Sequence, residues 1–592
     1  MSAPLSIQPT TPAFPRRHDL DALRAVAMLL GIALHAALAY MPLPAGGWPV
    51  QDAHQNDAFA VFLAVVHGFR MPLFFLISGF FTAMMWRKRG VKSLLVNRFK
   101  RIFLPLAIGM FTLVPAVWIV SIAAGIAGAQ SADVSADANL WTAAKLGDLE
   151  KVERLLGDGA APNTPDPVTG ATPMAMAGWT GQHQAIELLI DQGADVDARN
   201  ANGTTPIHGA AFFGHPESVR MLVEHGADVD AKNNRGERAI DVLAADWSTT
   251  QLLAGLTQVE VNRDQVVSGR EKVYAILQEA SQSTRGTGGQ QGEEAGDSKA
   301  SAVGISDADV GASGNEALSG IMMFLTWFPF FHHLWFLWFL CWLVLAFAVY
   351  AKLADLLRWK APRSLVISPL RYLWLIPVTI LPQSMMGLLF PNFGPDTSAG
   401  LLPMPRVMLY YAIFFFFGAF YFDCDDQQGR VGRWWRYTLP VALLLVFPVG
   451  LELTTGGLGF GTQWLDSELH RPVSVVLQVL YVWLMTFGLM GMFRSLMSGE
   501  SKAMRYISDS SYWLYLVHLP LIIVAQAIVR NWQLPAFVKF TLVCVVTSAL
   551  LLASYQLFVR YTPIGTLLNG PRMRPKKPRD AATENIPAPE AS

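Results

Sequence analysis

The sequence has 592 residues, of which 52% are hydrophobic and 15% are charged, and its formal net charge is zero. The apolar residues occur in blocks of about 20, the length at which a helix crosses a bilayer, so we expect a polytopic membrane protein and not a soluble one. The balanced charge argues against a nucleic-acid partner, which normally requires an excess of Lys and Arg. The three cysteines show no metal-ligand spacing, and we expect neither a bound metal nor a disulfide framework.

Apolar windows along the chain predict about ten membrane-spanning helices. The windows lie at residues 22–42, 58–85, 104–127, 333–352, 369–390, 404–423, 437–453, 473–493, 511–529 and 535–557. The short loops between them alternate in charge: segment 87–101 is strongly basic, whereas Arg471 is the one basic residue in loops 43–57, 391–403 and 454–472. The positive-inside rule therefore predicts a multi-pass protein of the cell inner membrane with cytoplasmic N- and C-terminal tails (1–21 and 566–592).

Three segments of similar sequence repeat between the third and fourth windows. They recur at a spacing of 33 or 34 residues, which is the ankyrin period, and read LGDLEKVERLLGDGA (146–160), TGQHQAIELLIDQGA (180–194) and FGHPESVRMLVEHGA (213–227). Thr172 and Thr205, each followed by proline, are expected to cap the first helix of a repeat, and the degenerate repeat 231–244 to close the stack. We predict an ankyrin domain at 138–250, inserted as an α-solenoid into an all-α membrane protein.

The residues after the repeats have a different composition. Segment 251–318, rich in Gly, Ser and acidic residues from 282 onward, predicts a linker that is largely disordered. The insertion divides the membrane domain into a first part with three spans (22–127) and a second part with seven (319–565). Because the short basic loops on both sides set the orientation, we expect the ankyrin domain in the periplasm, where it would recruit an unidentified protein partner.

Polar residues inside the first two windows are candidates for function, because hydrocarbon makes them costly. Arg24 and His35 are eleven residues apart, which places them within about 20° of one another on a helix and about 16 Å apart along its axis. His67 and Arg70 share a face of the second window, and Pro72 is expected to break that helix beside a polar cavity. The alternatives are a snorkelling Arg24, a packing His35 and an Arg70 capped by carbonyl groups.

Further polar candidates follow along the chain. Arg98 and Arg101 are either ordinary basic residues at the cytoplasmic end of the third window or a pair that binds a phosphate group. His333 precedes the fourth window, and three residues share one face of the ninth: Ser511, Tyr515 and His518. The sequence contains no nucleophile elbow and no Gly-rich nucleotide loop. Histidines and arginines in a membrane interior favour group transfer to a hydroxyl, in which a histidine takes the proton and cations hold an anionic donor.

Five motifs in a fixed order carry a family resemblance. They are DLDALRAVAMLLGIALH (19–35), FRMPLFFLISGFF (69–81), RFKRIFLPL (98–106), HHLWFL (332–337) and SDSSYWLYLVHLPL (508–521). Together they resemble the integral-membrane enzymes of acyltransferase family 3, and most closely the glucan biosynthesis protein C group, which is associated with succinylation of periplasmic glucans. The resemblance covers about 18–127 and 330–565 and leaves out the ankyrin domain.

The resemblance implies an enzyme that moves a succinyl or acetyl group from cytoplasmic acyl-CoA, its donor substrate, to a hydroxyl of a periplasmic or cell-surface glycan, without a bound cofactor. It implies that His35 is the essential histidine, Arg24 its paired cation, and Arg98 and Arg101 neighbours of the CoA phosphates. Whether His35 acts as a general base or carries the acyl group stays open. Two other hypotheses remain: an ankyrin-regulated transporter or channel, and an inactive acyltransferase-like scaffold.

Overall fold

The computed structural model describes residues 17–41, 48–52, 54–131, 136–166, 170–200, 202–234, 236–257, 259–285, 321–322, 324–388, 391–462 and 464–570. Within these ranges all regular secondary structure is helical, which confirms the all-α prediction. The chain divides into two compact units. Of the described residues, those within 17–41, 50–124 and 321–570 contribute to a membrane unit, and those within 48–49 and 125–285 to an ankyrin unit.

Twenty-one α-helices are numbered here in chain order. They are α1 (His18–Ala37), α2 (Ala58–Arg98), α3 (Leu104–Ser131), α4 (Ala136–Leu146), α5 (Leu149–Gly157), α6 (Pro173–Trp179), α7 (His183–Asp191), α8 (Pro206–Phe212), α9 (Pro216–Glu224), α10 (Trp247–Thr257), α11 (Arg263–Arg285), α12 (Trp335–Leu356), α13 (Arg363–Ile367), α14 (Arg371–Ser384), α15 (Pro405–Asp423), α16 (Trp435–Val441), α17 (Phe447–Thr455), α18 (Ser467–Leu496), α19 (Lys502–Val529), α20 (Ala536–Ser554) and α21 (Pro563–Asn569). Short π-helical turns extend α2, α16 and α20 at their C-terminal ends.

The described residues contain eight helices that are long and apolar enough to cross a membrane, so the predicted count of ten is not confirmed. Two differences explain why there are eight such helices and not ten. The second and third windows lie in one helical stretch, Ala58–Ile126. The fifth window contains α14, which has only 14 residues and two internal prolines, Pro377 and Pro382. At 1.5 Å per residue, a helix of this length spans about 21 Å, less than the roughly 30 Å of hydrocarbon.

A bend at Gly90 separates the second window from the third. Gly90 has φ 74° and ψ 169°, a conformation that glycine adopts readily and that interrupts α2. Nη2 of Arg98 lies 3.0 Å from Oγ1 of Thr82. Because a straight helix would separate residues 82 and 98 by about 24 Å, α2 must turn back on itself between them.

The predicted break at Pro72 is wrong. Residues 71 and 72 are helical, and Gly90 is the one non-helical position inside α2. The close packing of this segment on α15 supports a continuous helix, since a Cβ atom at Gly79 would overlap the carbonyl of Phe415 and one at Gly418 would overlap the carbonyl of Leu76. Small residues that let two backbones approach in this way are typical of membrane helix pairs.

The predicted ankyrin repeats are confirmed as three helix pairs, α4 with α5, α6 with α7 and α8 with α9. Oγ1 of Thr172 accepts from the backbone N–H of Ala175 at the start of α6, as the Thr-Pro pattern predicts. At the start of α8, the backbone N–H of Thr205 donates to Nδ1 of His208, whose Nε2 lies 3.0 Å from the carbonyl oxygen of Glu237. Burial lowers the pKa of His208, which keeps the ring neutral and able to accept this bond.

The predicted domain boundary at 250 and the disordered linker after it are wrong for residues 259–285. This segment contains α11, which packs on α9 and α8 and so extends the stack beyond the degenerate repeat. Val273 and Leu277 are buried, and Arg270, fully buried on the same face, donates to the carbonyl oxygens of Phe212 and Ala245. Charged residues on the exposed face of α11 make the segment polar on average, so its composition does not reveal the buried face that carries Arg270, Val273 and Leu277. Tail residues 1–16 and 571–592 and linker residues 286–320 lie outside the described residues.

The helix α10 covers part of the face formed by the first helices of the repeats. Ala254 and Val259 form an apolar cluster with Trp179 of α6 and with Phe213. Nζ of Lys145, at the end of α4, donates to the carbonyl oxygen of Thr257 at 2.8 Å and so closes the C-terminal end of α10. A segment of the chain itself therefore packs against α6 and Phe213 of the ankyrin stack.

Candidate active site

Three histidines from distant parts of the chain meet inside the membrane unit. His35 is near the end of α1, His518 is on α19, and His333 is in the 3-10 turn that precedes α12. The ring centroids are 5.0 Å apart for His35 and His518 and 5.3 Å apart for His333 and His518. The cluster is built by the packing of α1 against α19, among the most extensive contacts between helices of this unit.

Hydrogen-bond partners assign the protons on two of these rings. Nδ1 of His518 lies 2.8 Å from the carbonyl oxygen of Tyr515, which can only accept, so Nδ1 carries the proton. Nε2 of His518 then has a lone pair, and it lies 3.0 Å from Nδ1 of His35. Nδ1 of His35 therefore carries a proton, shared between Nε2 of His518 and the carbonyl oxygen of Gly31 at 3.0 Å. The neutral ring of His35 has its lone pair on Nε2.

The ring of His333, like that of His35, has a nitrogen with a lone pair. Nε2 of His333 donates to the carbonyl oxygen of Leu516 at 2.9 Å, which leaves Nδ1 as an acceptor, buried and without a partner among the described residues. The hydroxyl of Tyr515 donates to the carbonyl oxygen of His333 at 2.6 Å and fixes the turn. His332 has φ 42°, in the left-handed region that non-glycine residues rarely adopt. Such local strain is often found at functional sites.

Arg70 brings a cation to the same turn of α1. Its guanidinium occupies the space where a Cβ atom at position 31 would lie, so a larger residue at Gly31 would displace it. The carbonyl of Gly31 is also the one beside His35. Nη2 of Arg70 contacts Sδ of Met71 at 3.6 Å, its Nε is buried, and no carboxylate pairs with it within the described ranges. A cation with no carboxylate partner among the described residues thus lies against the turn of α1 that precedes His35.

A second group of polar residues lies at the other end of α1. Nη2 of Arg24 donates to the carbonyl oxygen of Ser508 at 3.0 Å and to its hydroxyl at 2.8 Å, and Asp21 is 3.7 Å away. Arg98 donates to Thr82, as described above. The hydroxyl of Tyr512 donates to the carbonyl oxygen of Arg101 at 2.6 Å. The face of α1 that carries Arg24 and His35 therefore has a group of polar residues at each end.

Two predicted site residues do not join the histidine cluster through a hydrogen bond. Nε2 of His67 lies 2.9 Å from the carbonyl oxygen of Pro395, so its ring faces the loop before α15. The hydroxyl of Ser511 donates to the carbonyl oxygen of Ser508 within its own helix at 2.7 Å. The side chains of His67 and Ser511 are thus both hydrogen-bonded to backbone carbonyl groups.

Sequence reasoning missed Gln526 and Ser508. Nε2 of Gln526 donates to the carbonyl oxygens of His35 and Ala36 at 3.1 and 3.0 Å, which satisfies backbone groups near the helix end that carries His35. The signal for Gln526 was available, since it is an amide inside the apolar run LIIVAQAIV. Ser508 offered no comparable signal, because serine is common near helix ends.

The described residues contain no group of three or more His, Cys, Asp and Glu side chains that could hold a metal ion. The three-histidine cluster does not converge on one point, because Nδ1 of His518 and Nε2 of His333 both point at carbonyl oxygens. The arrangement suits proton transfer at Nε2 of His35, with His518 as the group that orients and stabilises the ring.

Comparison with known proteins finds two domain families in the chain. An acyltransferase domain matches residues 17–141 and 298–555, and three ankyrin repeats match residues 140–233. The chain is similar to proteins named glucans biosynthesis protein C from Salmonella paratyphi B, Salmonella heidelberg and Salmonella schwarzengrund. Each is 37% identical over 101 residues, which are 17% of this chain and 26% of the relative.

The aligned stretch thus spans about a quarter of the length of these curated relatives. The domain match is broader, covering more than half of the 592 residues in two segments that flank the repeats. It includes all three histidines of the cluster as well as Arg24 and Arg70. Its two segments contain most of the membrane unit, and the chain, a multi-pass membrane protein, belongs to the acyltransferase domain family.

Proposed function

We propose that this acyltransferase moves an acyl group from acyl-CoA to a hydroxyl of a glycan. The observation that carries the proposal is the pair His35 and His518, because a neutral imidazole with its lone pair on Nε2 and its Nδ1–H held by an acceptor is arranged as a general base. The transporter and scaffold hypotheses do not require this proton arrangement.

In the proposed reaction, Nε2 of His35 takes the proton of the acceptor hydroxyl as its oxygen attacks the thioester carbon. The C–S bond to coenzyme A breaks, the new C–O bond forms, and the proton passes from His35 to the leaving thiolate. The charge that the ring of His35 gains is shared through Nδ1–H with Nε2 of His518. The guanidinium of Arg70, against the adjacent turn, stabilises negative charge that develops on the acyl group.

The donor is proposed to reach His35 from the end of α1 that carries Arg24. The two residues lie on one stripe about 16 Å apart, and the pantetheine arm of coenzyme A is an extended chain of comparable length. Coenzyme A is too polar to cross the bilayer. The contacts of its phosphates therefore belong with Arg24, Arg98 and Arg101, and the acceptor site belongs at the imidazoles.

A glycan acceptor and a succinyl or acetyl group are proposed from the relatives named glucans biosynthesis protein C. The test is mass spectrometry of periplasmic glucans and surface polysaccharides from strains with the gene, without it, and with His35→Ala. We expect acyl substituents that are present with the intact gene and absent from the other two strains. Identical substitution in all three would refute the enzymatic proposal.

A fourth strain in the same experiment lacks residues 138–315. We propose that the ankyrin domain recruits a protein that presents the acceptor, through surface other than the part that α10 covers. The deletion should therefore leave the chemistry intact and change which glycans are modified. An unchanged set of modified glycans would exclude a role of the repeats in choosing the acceptor.

The distribution of Lys and Arg in the short loops supports an inner-membrane location with cytoplasmic tails and a periplasmic ankyrin domain. Fusion of alkaline phosphatase within residues 282–318 tests this orientation, because the enzyme is active only when exported. We expect high phosphatase activity there and low activity for a fusion at residue 570. The reverse pattern would place the repeats in the cytoplasm and would also remove the proposed role in recruitment.

A further inference from the structure

Two charged residues form a pair at the start of α15. Arg406 is the second residue of this helix, and Asp396 lies in the loop of residues 391–404 that precedes it. Nε of Arg406 is 3.7 Å from Oδ2 of Asp396. Asp423, the last residue of α15, pairs with Arg87 of the basic segment 87–101, and it lies about 25 Å from Arg406 along the helix axis. Asp396 and Arg406 are therefore at the end of α15 opposite to the segment that is proposed to hold the phosphates of the donor.

The charged groups of this pair are close together without a hydrogen bond between them. The pair at the other end of α15 has two hydrogen bonds, of 2.8 and 2.6 Å, whereas 3.7 Å is too long for one. Nε of Arg406 is buried and has no hydrogen-bond partner among the described residues, and Nη2 contacts Sδ of Met404 at 3.5 Å. Oδ1 of Asp396 accepts from the backbone N–H of Gly387 at 3.2 Å and from Nδ2 of Asn392 at 3.5 Å. Both side chains are partly exposed, at 29% and 20%, and a bound ligand is one way in which their unused hydrogen-bonding groups become satisfied.

The backbone beside Asp396 contacts α2. The carbonyl oxygen of Pro395, the preceding residue, lies 2.9 Å from Nε2 of His67. His67 and Arg70 are one helical turn apart on α2. Arg70 in turn lies against the turn of α1 that precedes His35. A short series of contacts thus connects the charged pair with the reacting imidazole.

The same loop contacts the turn that carries His333. The carbonyl oxygen of Ala399 accepts from the backbone N–H of Phe331 at 3.0 Å. The carbonyl oxygen of Leu401 accepts from Nε1 of Trp338 at 3.0 Å. Loop 391–404 is therefore bonded to both of the elements that bring Arg70 and His333 to the site.

We propose that Asp396 and Arg406 bind neighbouring hydroxyl groups of the acceptor glycan, away from the hydroxyl that reacts at His35. A hydroxyl both donates and accepts, whereas a carboxylate only accepts and a guanidinium only donates. Two adjacent hydroxyls of a sugar ring can therefore serve both partners, one donating to Oδ2 of Asp396 and the other accepting from Arg406. The opposite charges of the pair cancel, which favours a neutral sugar over an anionic one. The inference rests on the proposed function in its choice of a glycan as the acceptor.

The test measures initial rates of acyl transfer by the full chain in phosphatidylcholine nanodiscs, with a neutral oligosaccharide of glucose as the acceptor. Asp396→Asn and Arg406→Gln should each raise KM for the oligosaccharide about tenfold, the order of one charge-assisted hydrogen bond. KM for the acyl donor and kcat should stay within about threefold. Asparagine keeps an oxygen that can accept from Gly387, so the loop should fold as before. Asp466→Asn, an exposed position that caps no backbone N–H by its side chain, is the matched control and should leave all three values unchanged.

Acceptors that lack a single ring hydroxyl identify the contact itself. A deoxy oligosaccharide that raises KM of the wild type should raise KM of Asp396→Asn or of Arg406→Gln much less, because the partner of that hydroxyl is already altered. A loop that is merely destabilised by the substitution would not show this coupling.

Two results would overturn the inference. One is a KM for the oligosaccharide that is the same in the wild type, the two variants and the control. The other is a loss of kcat in both variants without coupling to any deoxy acceptor, which would assign the pair to holding the loop. Equilibrium binding of the same oligosaccharide is measured in parallel. A wild type that binds it more tightly than both variants but transfers no acyl group would refute the proposed function and leave the binding site standing.

Discussion

Replacing His518 with asparagine should lower kcat by about 10²- to 10³-fold while KM for the acyl donor stays within about threefold, as when a group that orients a catalytic base is lost. Asparagine can place an N–H near the position of Nδ1 and keep the bond to Tyr515, but it is too short to reach His35. Glutamine can place an oxygen near the position of Nε2, so His518→Gln should retain more activity than His518→Asn. Initial rates with purified protein and a glycan acceptor measure both values.

The control is His225→Asn, an exposed histidine in the ankyrin unit, which should leave kcat unchanged. Equal activity of the asparagine and glutamine variants would contradict an orienting role for His518. His35→Ala should remove activity altogether. Incubation with labelled acyl-CoA without acceptor separates the two roles of His35, because a labelled acyl group recovered on its ring would indicate an acyl carrier and contradict the general-base mechanism.

Replacing Lys539 with methionine should destabilise the membrane unit by about 3–5 kcal/mol, the cost of leaving a buried carboxylate without its partner. Nζ of Lys539 lies 2.8 and 2.9 Å from the two carboxylate oxygens of Asp52 and 3.1 Å from the carbonyl oxygen of Arg530. Both charged side chains are almost completely buried, at 0% and 2% exposure. The pair connects the chain that leaves α1 to α20, so its loss should also loosen the end of α1 that carries His35.

Unfolding of the detergent-solubilised protein by increasing mole fraction of SDS, followed by tryptophan fluorescence, measures this loss. The double variant Asp52→Leu with Lys539→Met should recover most of the stability, since it removes both charges together. Lys502→Met, at an exposed position at the start of α19, is the control and should change the free energy of unfolding by less than about 0.5 kcal/mol. A destabilisation by Lys539→Met no larger than that of the control would show that the buried pair does not contribute.

Residue types and short-range spacing were sufficient to identify most of the candidate site. His35, Arg70, His333 and His518 stand out in the sequence because polar groups are rare in apolar runs. The ankyrin pairs followed from a period of 33 or 34 residues, and Thr172 caps its helix as expected. These features depend on residues that are close in the chain, and the same local physics holds in any fold that contains them.

The errors arose where distant residues decide a local conformation. Pro72 lowers the helical preference of its own turn, but the tight packing of α2 on α15 accompanies an unbroken helix there. Gly90, which does interrupt the helix, looks unremarkable inside a basic segment. Residues 259–285 read as linker by their composition, yet Arg270 becomes buried because carbonyl groups of the ankyrin unit surround its guanidinium.

By itself, the sequence determined that this chain crosses a membrane, that it carries an ankyrin stack, and which few side chains are too polar for their surroundings. Only the tertiary structure decided how those side chains act together. His35 and His518 are 483 residues apart in the chain, and their nitrogens lie within 3.0 Å because α1 packs against α19. Periodicity reports which face of a helix a residue occupies. It carries no information about which other helix that face meets, and the proton arrangement of His35 depends on that partner.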